Sequence, residues 1–191
     1  YLSRYLETNS SDSYLNLDGI YSEILKVDGV TSAFVSCNRE NVVDSNGWEP
    51  HSRVYVVDGG TNQDIAEAIY RKTDRAIQEM GDVEVTVQDI QGNDRIVKFY
   101  RPTNQTIFFK VSVLPAGLVI TQITDKIKEY IDSVKVGGLI TQTNAVETVR
   151  SAELLTNIQS LDIQFSNDGI TYATVYQLDY NKKVVGSLVT V

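Results

Sequence analysis

The sequence is poor in the residues that most often build metal and redox sites. Its 191 residues include one cysteine and one histidine, which excludes an intrachain disulfide and a metal site made of several thiolates. No apolar run approaches the roughly 20 residues of a membrane-spanning helix, and no signal peptide is recognisable. Acidic residues outnumber basic ones by 25 to 17, for a net charge of −8. We therefore predict no membrane insertion and no nucleic-acid partner, because sequence-independent binding to either polyanionic surface requires a basic protein.

The two residues best suited to chemistry are more typical of structural positions. Cys37 shares one face of a predicted strand with Ala33 and Val35, which indicates a small buried side chain rather than a reactive thiol. His51 has no cysteine or carboxylate at ligand spacing, which favours a surface residue over a metal ligand or a catalytic base.

Motifs that define enzyme families are missing. Asp58-Gly59-Gly60 precedes a predicted helix, where free N–H groups bind phosphate, but G-x-G-x-x-G and G-K-S/T are absent and Asp58 would repel the anion. Neither G-x-S-x-G nor H-E-x-x-H is present. Asp89 and Asp94 flank a turn, where aspartate serves local hydrogen bonding. We therefore predict a protein that is not an enzyme, with no catalytic, cofactor-binding or metal-binding residues.

The most regular part of the chain spans residues 53–80. Residues 54–57 are apolar on both strand faces, which predicts a central strand covered on both sides. The paired glycines that follow allow the positive φ needed for a turn from strand into helix. From Asn62, apolar residues recur at steps of three and four as far as Met80, which predicts one helix that Gly81 ends.

Alternating apolar residues predict further strands on both sides of this helix. They cover residues 31–37, 83–88, 95–101 and 105–114, and the last three form an antiparallel meander. Two helices are expected next, over about 122–134 and 144–155, and then strands over 161–165, 172–178 and 183–191. The predicted fold class is α+β: a mixed or antiparallel sheet packed on a long helix in the order β-β-α-β-β-β, followed by a smaller α-α-β-β-β unit.

Composition divides the chain into three segments. Residues 1–28 are polar and predict an arm or linker from a missing upstream part, since the chain begins at Tyr1 without an initiator methionine. Residues 29–115 form the predicted α+β core domain, and residues 116–191 form the smaller α+β domain. Pro115-Ala116-Gly117 marks the boundary between them, and we expect it to act as a hinge.

Residues 38–51 form a long polar loop, and loops of this length without periodicity are often functional or mobile. Its tip carries Trp48, the only tryptophan of the chain. Two interpretations stay open at this point. Trp48 covers the edge of the core, or it anchors a partner protein, since tryptophan is common among interface hot spots.

A set of short motifs surrounds the predicted strands. They are Val27-Asp28-Gly29-Val30 with Asn38, residues 47–50, Val56-Val57-Asp58-Gly59-Gly60 with residues 64–69, Met80-Gly81, Val85-Thr86-Val87-Gln88-Asp89 with Gly92, Phe99-Tyr100-Arg101-Pro102, Val136-Gly137-Gly138 and Val184-Val185-Gly186. Over roughly residues 20–191 this pattern resembles the baseplate J-like family of phage tails and related contractile injection machines. One departure is Arg75-Ala76, where the family pattern has a glycine turn.

The resemblance implies a non-enzymatic wedge component of a tail baseplate, assembled in a ring around the central hub. Its partners would be other baseplate and tail proteins, and its copies are expected to form a ring-shaped homo-oligomer. It would reside in the virion tail, after assembly in the host cytoplasm. Family members also have an N-terminal segment, which fits the expected upstream part.

Two other classes of function compete with this one. A receptor- or carbohydrate-binding module of a tail particle would use Trp48 and exposed tyrosines, because amphipathic aromatic rings suit both kinds of surface. A hydrolase would need two carboxylates about 5–10 Å apart in one pocket, and the sequence leaves that separation open.

Overall fold

The computed structural model describes residues 16–74, 76–114, 120–152 and 158–190, the last four of these by their backbone. The described residues form an α+β fold, as predicted. The helices are α1 (Leu17–Ile24), α2 (Asn62–Lys72), α3 (Ile120–Asp132) and α4 (Gln142–Ser151). The strands are β1 (Val30–Cys37), β2 (Ser52–Gly59), β3 (Gln78–Met80), β4 (Val83–Gln88), β5 (Asp94–Phe99), β6 (Thr103–Leu114), β7 (Leu139–Thr141), β8 (Ser160–Ser166), β9 (Val175–Gln177) and β10 (Lys182–Thr190). Among the described helices, none has the length and apolar character needed to cross a membrane.

The chain divides into two compact units between Pro102 and Thr103. This division differs from the predicted boundary at residue 115, which assigned β6 to the first domain. In the described sheets β6 pairs with β8 and β10, so the predicted three-stranded meander is wrong beyond β4 and β5. Alternation identifies a strand and its buried face, but it does not specify the partner strand. The expected hinge at residues 115–117 lies outside the described residues.

The first unit is organised around β2, as predicted. β2 lies between antiparallel β1 and parallel β3, and its residues from Val54 to Val57 are fully buried. One core joins β2 to α1, α2 and the β4–β5 hairpin, and full burial of a large apolar side chain contributes about 1.5–3 kcal/mol. The buried members of this core are Ile20, Ile24, Ala33, Tyr55, Val57, Ile65, Ala66, Ile69, Val87, Val97 and Phe99.

Helix α2 is shorter than the predicted helix. It begins after the N-cap Thr61 and ends at Lys72, because Thr73 takes an extended conformation. The end of the predicted helix forms β3 instead, parallel to the start of β2. Ile77 and Met80 continue the helical spacing of apolar residues. Pairing with the buried strand β2 overrides this local preference and holds the segment as a strand.

Gly81 has a different role from the predicted helix stop. It lies between β3 and β4, where a Cβ atom would come within 2.2 Å of the Phe99 backbone nitrogen. Glycine is required here because the two backbones approach more closely than a side chain allows.

Part of the predicted N-terminal arm belongs to the core of the first unit. Residues 16–28 contain α1, in which Ile20 and Ile24 are fully buried. Asn16 caps this helix by accepting a hydrogen bond from the Gly19 amide at 2.5 Å. The helical spacing of Ile20, Ile24 and Val27 predicts a helix over 17–27, and α1 confirms it. The polar composition of the segment favoured a linker over a packed element, although an amphipathic helix needs only a narrow apolar stripe. Residues 1–15 lie outside the described residues.

The second unit is built on the three-stranded sheet β10-β6-β8. β6 is central, parallel to β10 and antiparallel to β8, and the predicted helix pair is present as α3 and α4. These elements share a core whose largest buried members are Ile107, Phe109, Ile123, Ile127, Ile131, Ile140, Ile163 and Phe165. β7 and β9 form a separate antiparallel pair, so the strand predicted over 172–178 is reduced to Val175–Gln177.

Candidate functional site

A compact network in the first unit joins the turn before β1 to the turn after β2. We call it the glycine junction, and it consists of Gly29, Gly59, Gly60 and Arg101. The Gly60 amide donates a hydrogen bond to the Gly29 carbonyl at 2.8 Å. Gly59 has a φ of 78°, and a Cβ atom on it would lie 2.1 Å from the Gly29 carbonyl oxygen. The two turns therefore touch backbone to backbone.

Arg101 holds the second turn of the junction in place. Its guanidinium donates to the carbonyl oxygens of Val57 at 3.0 Å, Gly59 at 2.5 Å and Gly60 at 3.0 Å. It also donates to Asn62 Oδ1 at 2.6 Å. Arg101 thus links the end of β2 to the first turn of α2.

This geometry does not suit the phosphate interpretation of Asp58-Gly59-Gly60. The turn presents carbonyl oxygens to a cation, whereas a phosphate needs free N–H donors. The Asp58 carboxylate adds negative charge beside it and accepts a hydrogen bond from Thr31 Oγ1 at 2.9 Å. Burial lowers the pKa of Arg101, and the charge of Asp58 opposes that effect. The glycine junction is a structural clamp.

Three residues with ionisable side chains lie side by side across the first sheet. Cys37 pairs with Arg53, and Arg53 pairs with Glu79, so their side chains share one face. We call these three residues the polar row. Arg53 is only 6% exposed. The sequence does not indicate the polar row, because its register requires β3, and the apolar spacing predicts a helix there.

Glu79, the carboxylic acid of the polar row, has a strongly shifted pKa. Burial raises the pKa of Glu79 to about 7, although the Lys98 amide at 3.2 Å and the charge of Arg53 both act to lower it. Burial, assisted by the charge of Glu79, also raises the pKa of the Tyr55 hydroxyl to about 12. A carboxyl that titrates near neutrality is a candidate acid or base. In the cavity of about 310 Å³ beside it, however, Glu79 is the only carboxylate among the described lining residues, so the pair that a glycoside hydrolase requires is missing there.

We expect Glu79→Gln to stabilise the first unit at high pH. The native carboxyl keeps its proton up to about pH 7, whereas the ordinary value is 4.5. Its contribution to stability is therefore complete below about pH 4.5 and is lost as pH rises through 7. Glutamine stays neutral, so the variant should exceed the wild type by on the order of 2 kcal/mol at pH 8, after allowance for partial solvent contact, and match it near pH 4.5.

Urea denaturation at several pH values measures this difference. Glu67→Gln, which removes an exposed glutamate from α2, is the matched control and should leave the pH profile of the unfolding free energy unchanged. Equal stabilities of Glu79→Gln and wild type at pH 8 would show that the Glu79 carboxyl is not buried at a cost.

A cavity of about 610 Å³ borders the polar row. We call it the arginine cavity, because Arg39 and Arg53 line it together with Asp18, Cys37 and His51. The structure thus brings Cys37 and His51 to one site, which their positions in the sequence did not indicate. Cys37 is half-buried, so the prediction of a buried side chain is wrong, because β1 ends where the cavity begins. His51 is exposed, as predicted.

Trp48 covers the edge of the core, in agreement with the first of its two interpretations. Its side chain is 5% exposed, and its ring lies 6.3 Å from that of Phe34. The surrounding loop is held by Asn38, which donates to the Trp48 carbonyl at 2.9 Å, and by Asp44, which accepts from the Trp48 amide at 2.9 Å. An indole buried to this extent offers no face on which a sugar could stack.

The acids that flank the β4–β5 turn do serve local hydrogen bonding. The Asp89 carboxylate accepts the amides of Gln91 and Asn93, each at 2.9 Å, and pairs with Arg95 at 3.1 Å. The hydrogen bonds from Asn93 are the main reason why the pKa of Asp89 falls to about 2. Asp94 is exposed and does not share this network. Across the described residues, no group of three or more potential metal ligands occurs.

No family model matches the chain, and no curated protein shows significant similarity to it. The function of the candidate site is therefore inferred from its geometry. The two features that the geometry offers are the backbone clamp at the glycine junction and the arginine cavity.

Proposed function

We propose that the chain is a structural wedge subunit of a phage-type tail baseplate, which acts through protein–protein contacts rather than catalysis. This proposal rests on where the fold places the motifs that resemble the baseplate J-like family. Residues 28–30, 57–60 and 99–101 are distant in sequence and converge on the glycine junction, while Gly81 packs on Phe99. Motifs that converge to fix a backbone shape suit a building block better than a reaction site.

The chemistry of the junction supports the same function. Arg101 directs its guanidinium at three backbone carbonyls, and a hydrogen bond from a charged group contributes about 1.5–3 kcal/mol. A side chain committed in this way stiffens the fold and is not available to a substrate. A rigid unit suits a component that must keep its shape within a larger assembly.

Two turns present apolar side chains that a neighbouring subunit can bury. Ile90 and Ile170 are at least 83% exposed. Ile90 comes directly after Asp89, and Ile170 comes two residues after Asp168. Each of these carboxylates accepts backbone amides of its own turn. Turns organised in this way lose little conformational entropy on binding. Such apolar tips suit contacts between subunits.

Charge is divided unevenly along the chain. Residues 1–102 have 17 acidic and 10 basic side chains, whereas residues 103–191 have 8 and 7. A contact between the first unit of one copy and the second unit of another is therefore less repulsive than a contact between two first units. Heterologous contacts form a ring when the rotation between copies closes. A ring-forming oligomer in the virion tail, with other baseplate and tail proteins as partners, is consistent with this charge distribution.

The carbohydrate-binding alternative has less support. It depended on Trp48 and on exposed tyrosines. Trp48 is buried against Phe34, and every tyrosine in the described part of the chain is buried or half-buried. The wedge proposal needs no such surface.

Co-expression of the full chain with the proteins encoded beside its gene tests the proposal. Native mass spectrometry is expected to detect a complex of fixed stoichiometry that contains several copies of the chain. Ile90→Asp should weaken that complex by about tenfold or more, because a charge buried in an interface is costly. Thr86→Asp, which adds the same charge on the exposed face of β4, is the control. A chain that associates with none of these proteins contradicts the proposal.

A further inference from the structure

The arginine cavity carries an inference that goes beyond the proposed structural role and does not depend on it. We propose that this cavity is a binding site for a carboxylate group. Its volume of about 610 Å³ falls within the range of roughly 300–1,000 Å³ that is typical of small-ligand sites. In a chain with a net charge of −8, a cavity walled by two arginines and a histidine is an exception to the surrounding charge.

Two neutral polar side chains of the cavity wall are already committed to the fold. The Asn38 amide donates to the carbonyls of Val42 at 2.8 Å and Trp48 at 2.9 Å. The Ser52 hydroxyl donates to the Glu49 carbonyl at 2.6 Å. The cationic side chains are therefore the principal donors that a ligand can use.

Arg53 is positioned before any ligand arrives. It is 6% exposed, hydrogen-bonds to the Tyr55 hydroxyl and lies close enough to Glu79 for their charges to interact. These neighbours fix the guanidinium from one side while its residue also lines the cavity. A fixed guanidinium matches the two oxygens of a carboxylate with two parallel hydrogen bonds.

Arg39 and His51 complete the cationic wall. Arg39 is exposed and forms no ion pair with any other residue that the structure describes. The His51 ring is oriented by a contact of 2.7 Å between its Nε2 and Asn41 Oδ1. A ligand in the cavity can therefore contact one exposed and one buried guanidinium, with an imidazole beside them.

The acids at the site favour a singly charged ligand. Asp18 lines the cavity, and Glu79 lies next to Arg53 on the polar row. Below about pH 7 the Glu79 carboxyl is protonated, so two guanidiniums set against Asp18 leave an excess of about one positive charge. A partly buried site tolerates little uncompensated charge. A carboxylate meets this condition, whereas a phosphate dianion does not.

A titration of the ¹⁵N-labelled full chain with sodium acetate, followed by NMR at constant ionic strength, tests the proposal. Saturable shifts are expected at the amides of residues 37–39 and 51–53, with a dissociation constant on the order of 10 mM. Arg39→Gln should weaken acetate binding about tenfold, because one charge-assisted contact is lost. Arg39 is exposed, so this variant is expected to fold. Arg71→Gln, an exposed arginine of α2 that pairs with Glu23, is the control and should leave the affinity unchanged.

Further ligands identify the source of the carboxylate. Tighter binding of N-acetyl-glutamyl amide than of acetate supports an acidic side chain of a partner protein, and equal or weaker binding supports a free small carboxylate. Inorganic phosphate is expected to bind more weakly than acetate. Shifts that never saturate, an Arg39→Gln variant that binds acetate like the wild type, or tighter binding of phosphate would each overturn the proposal.

Discussion

Replacement of Gly59 by alanine is expected to unfold the first unit or to cost it at least about 4 kcal/mol. The new Cβ atom would lie 2.1 Å from the Gly29 carbonyl oxygen, a backbone atom that cannot rotate away. Relief of that clash would separate the two turns of the glycine junction and break the 2.8 Å hydrogen bond between Gly60 and Gly29. A loss of this size is a large part of the stability of a typical domain, which is about 5–15 kcal/mol.

Trp48 provides a specific probe of this effect. It is the only tryptophan, it is buried in the first unit, and its fluorescence during urea denaturation therefore reports on that unit alone. Gly92→Ala is the matched control: Gly92 has a φ of 81°, close to that of Gly59, but nothing lies within 4 Å of its Cβ position. The control should cost about 1 kcal/mol, from backbone strain only. Equal costs for the two variants would contradict the close approach of the turns.

Arg101→Ala is expected to destabilise the first unit by about 2–4 kcal/mol. It removes charge-assisted hydrogen bonds to the carbonyls of Val57, Gly59 and Gly60 and leaves those oxygens to find water or stay unsatisfied. The contact of the guanidinium with the Phe99 ring, at 5.4 Å from its centroid, is lost as well. The same fluorescence measurement gives the change in unfolding free energy.

Two further variants separate the hydrogen bonds of Arg101 from its charge. Arg101→Lys keeps the charge but cannot reach several carbonyls with one planar group, so it should recover less than half of the loss. Arg71→Ala removes the ion pair between exposed Arg71 and Glu23, and Glu23 keeps its pair with Lys26. This variant should cost less than about 1 kcal/mol. An Arg101→Ala variant as stable as Arg71→Ala would show that the clamp contributes nothing.

Short-range patterns in the sequence predicted the elements that short-range contacts stabilise. The apolar run of β2 and the stripe of Ile65 and Ile69 lie within about 15 residues of one another, and the structure confirms them. The end of α2 was not predictable in this way. Ile77 and Met80 fit the helical period, and only the parallel pairing of β3 with β2 decides that they are not helical.

The site depends still more on distant contacts. Arg53 and Glu79 become neighbours through the register of β2 and β3, and Cys37 joins them through the register of β1 and β2. No periodicity in the sequence encodes these pairings, because side-chain alternation fixes the face of a strand and not its partner. The turn glycines were recognisable from the sequence. Glycine is needed at position 81, however, because the Phe99 backbone approaches closely there, and not because a helix ends there.

The parallel pairing of β6 with β10 has a consequence for synthesis on the ribosome. Thr103 pairs with Lys182, so β6, the central strand of its sheet, leaves the ribosome well before its partner β10 has been translated. During that interval the nascent chain displays an unpaired apolar strand, the kind of segment on which aggregation begins. Pairings between such distant residues also form slowly. Ile107 and Phe109 on that strand are therefore the positions where a chaperone holding the emerging chain would be of most use.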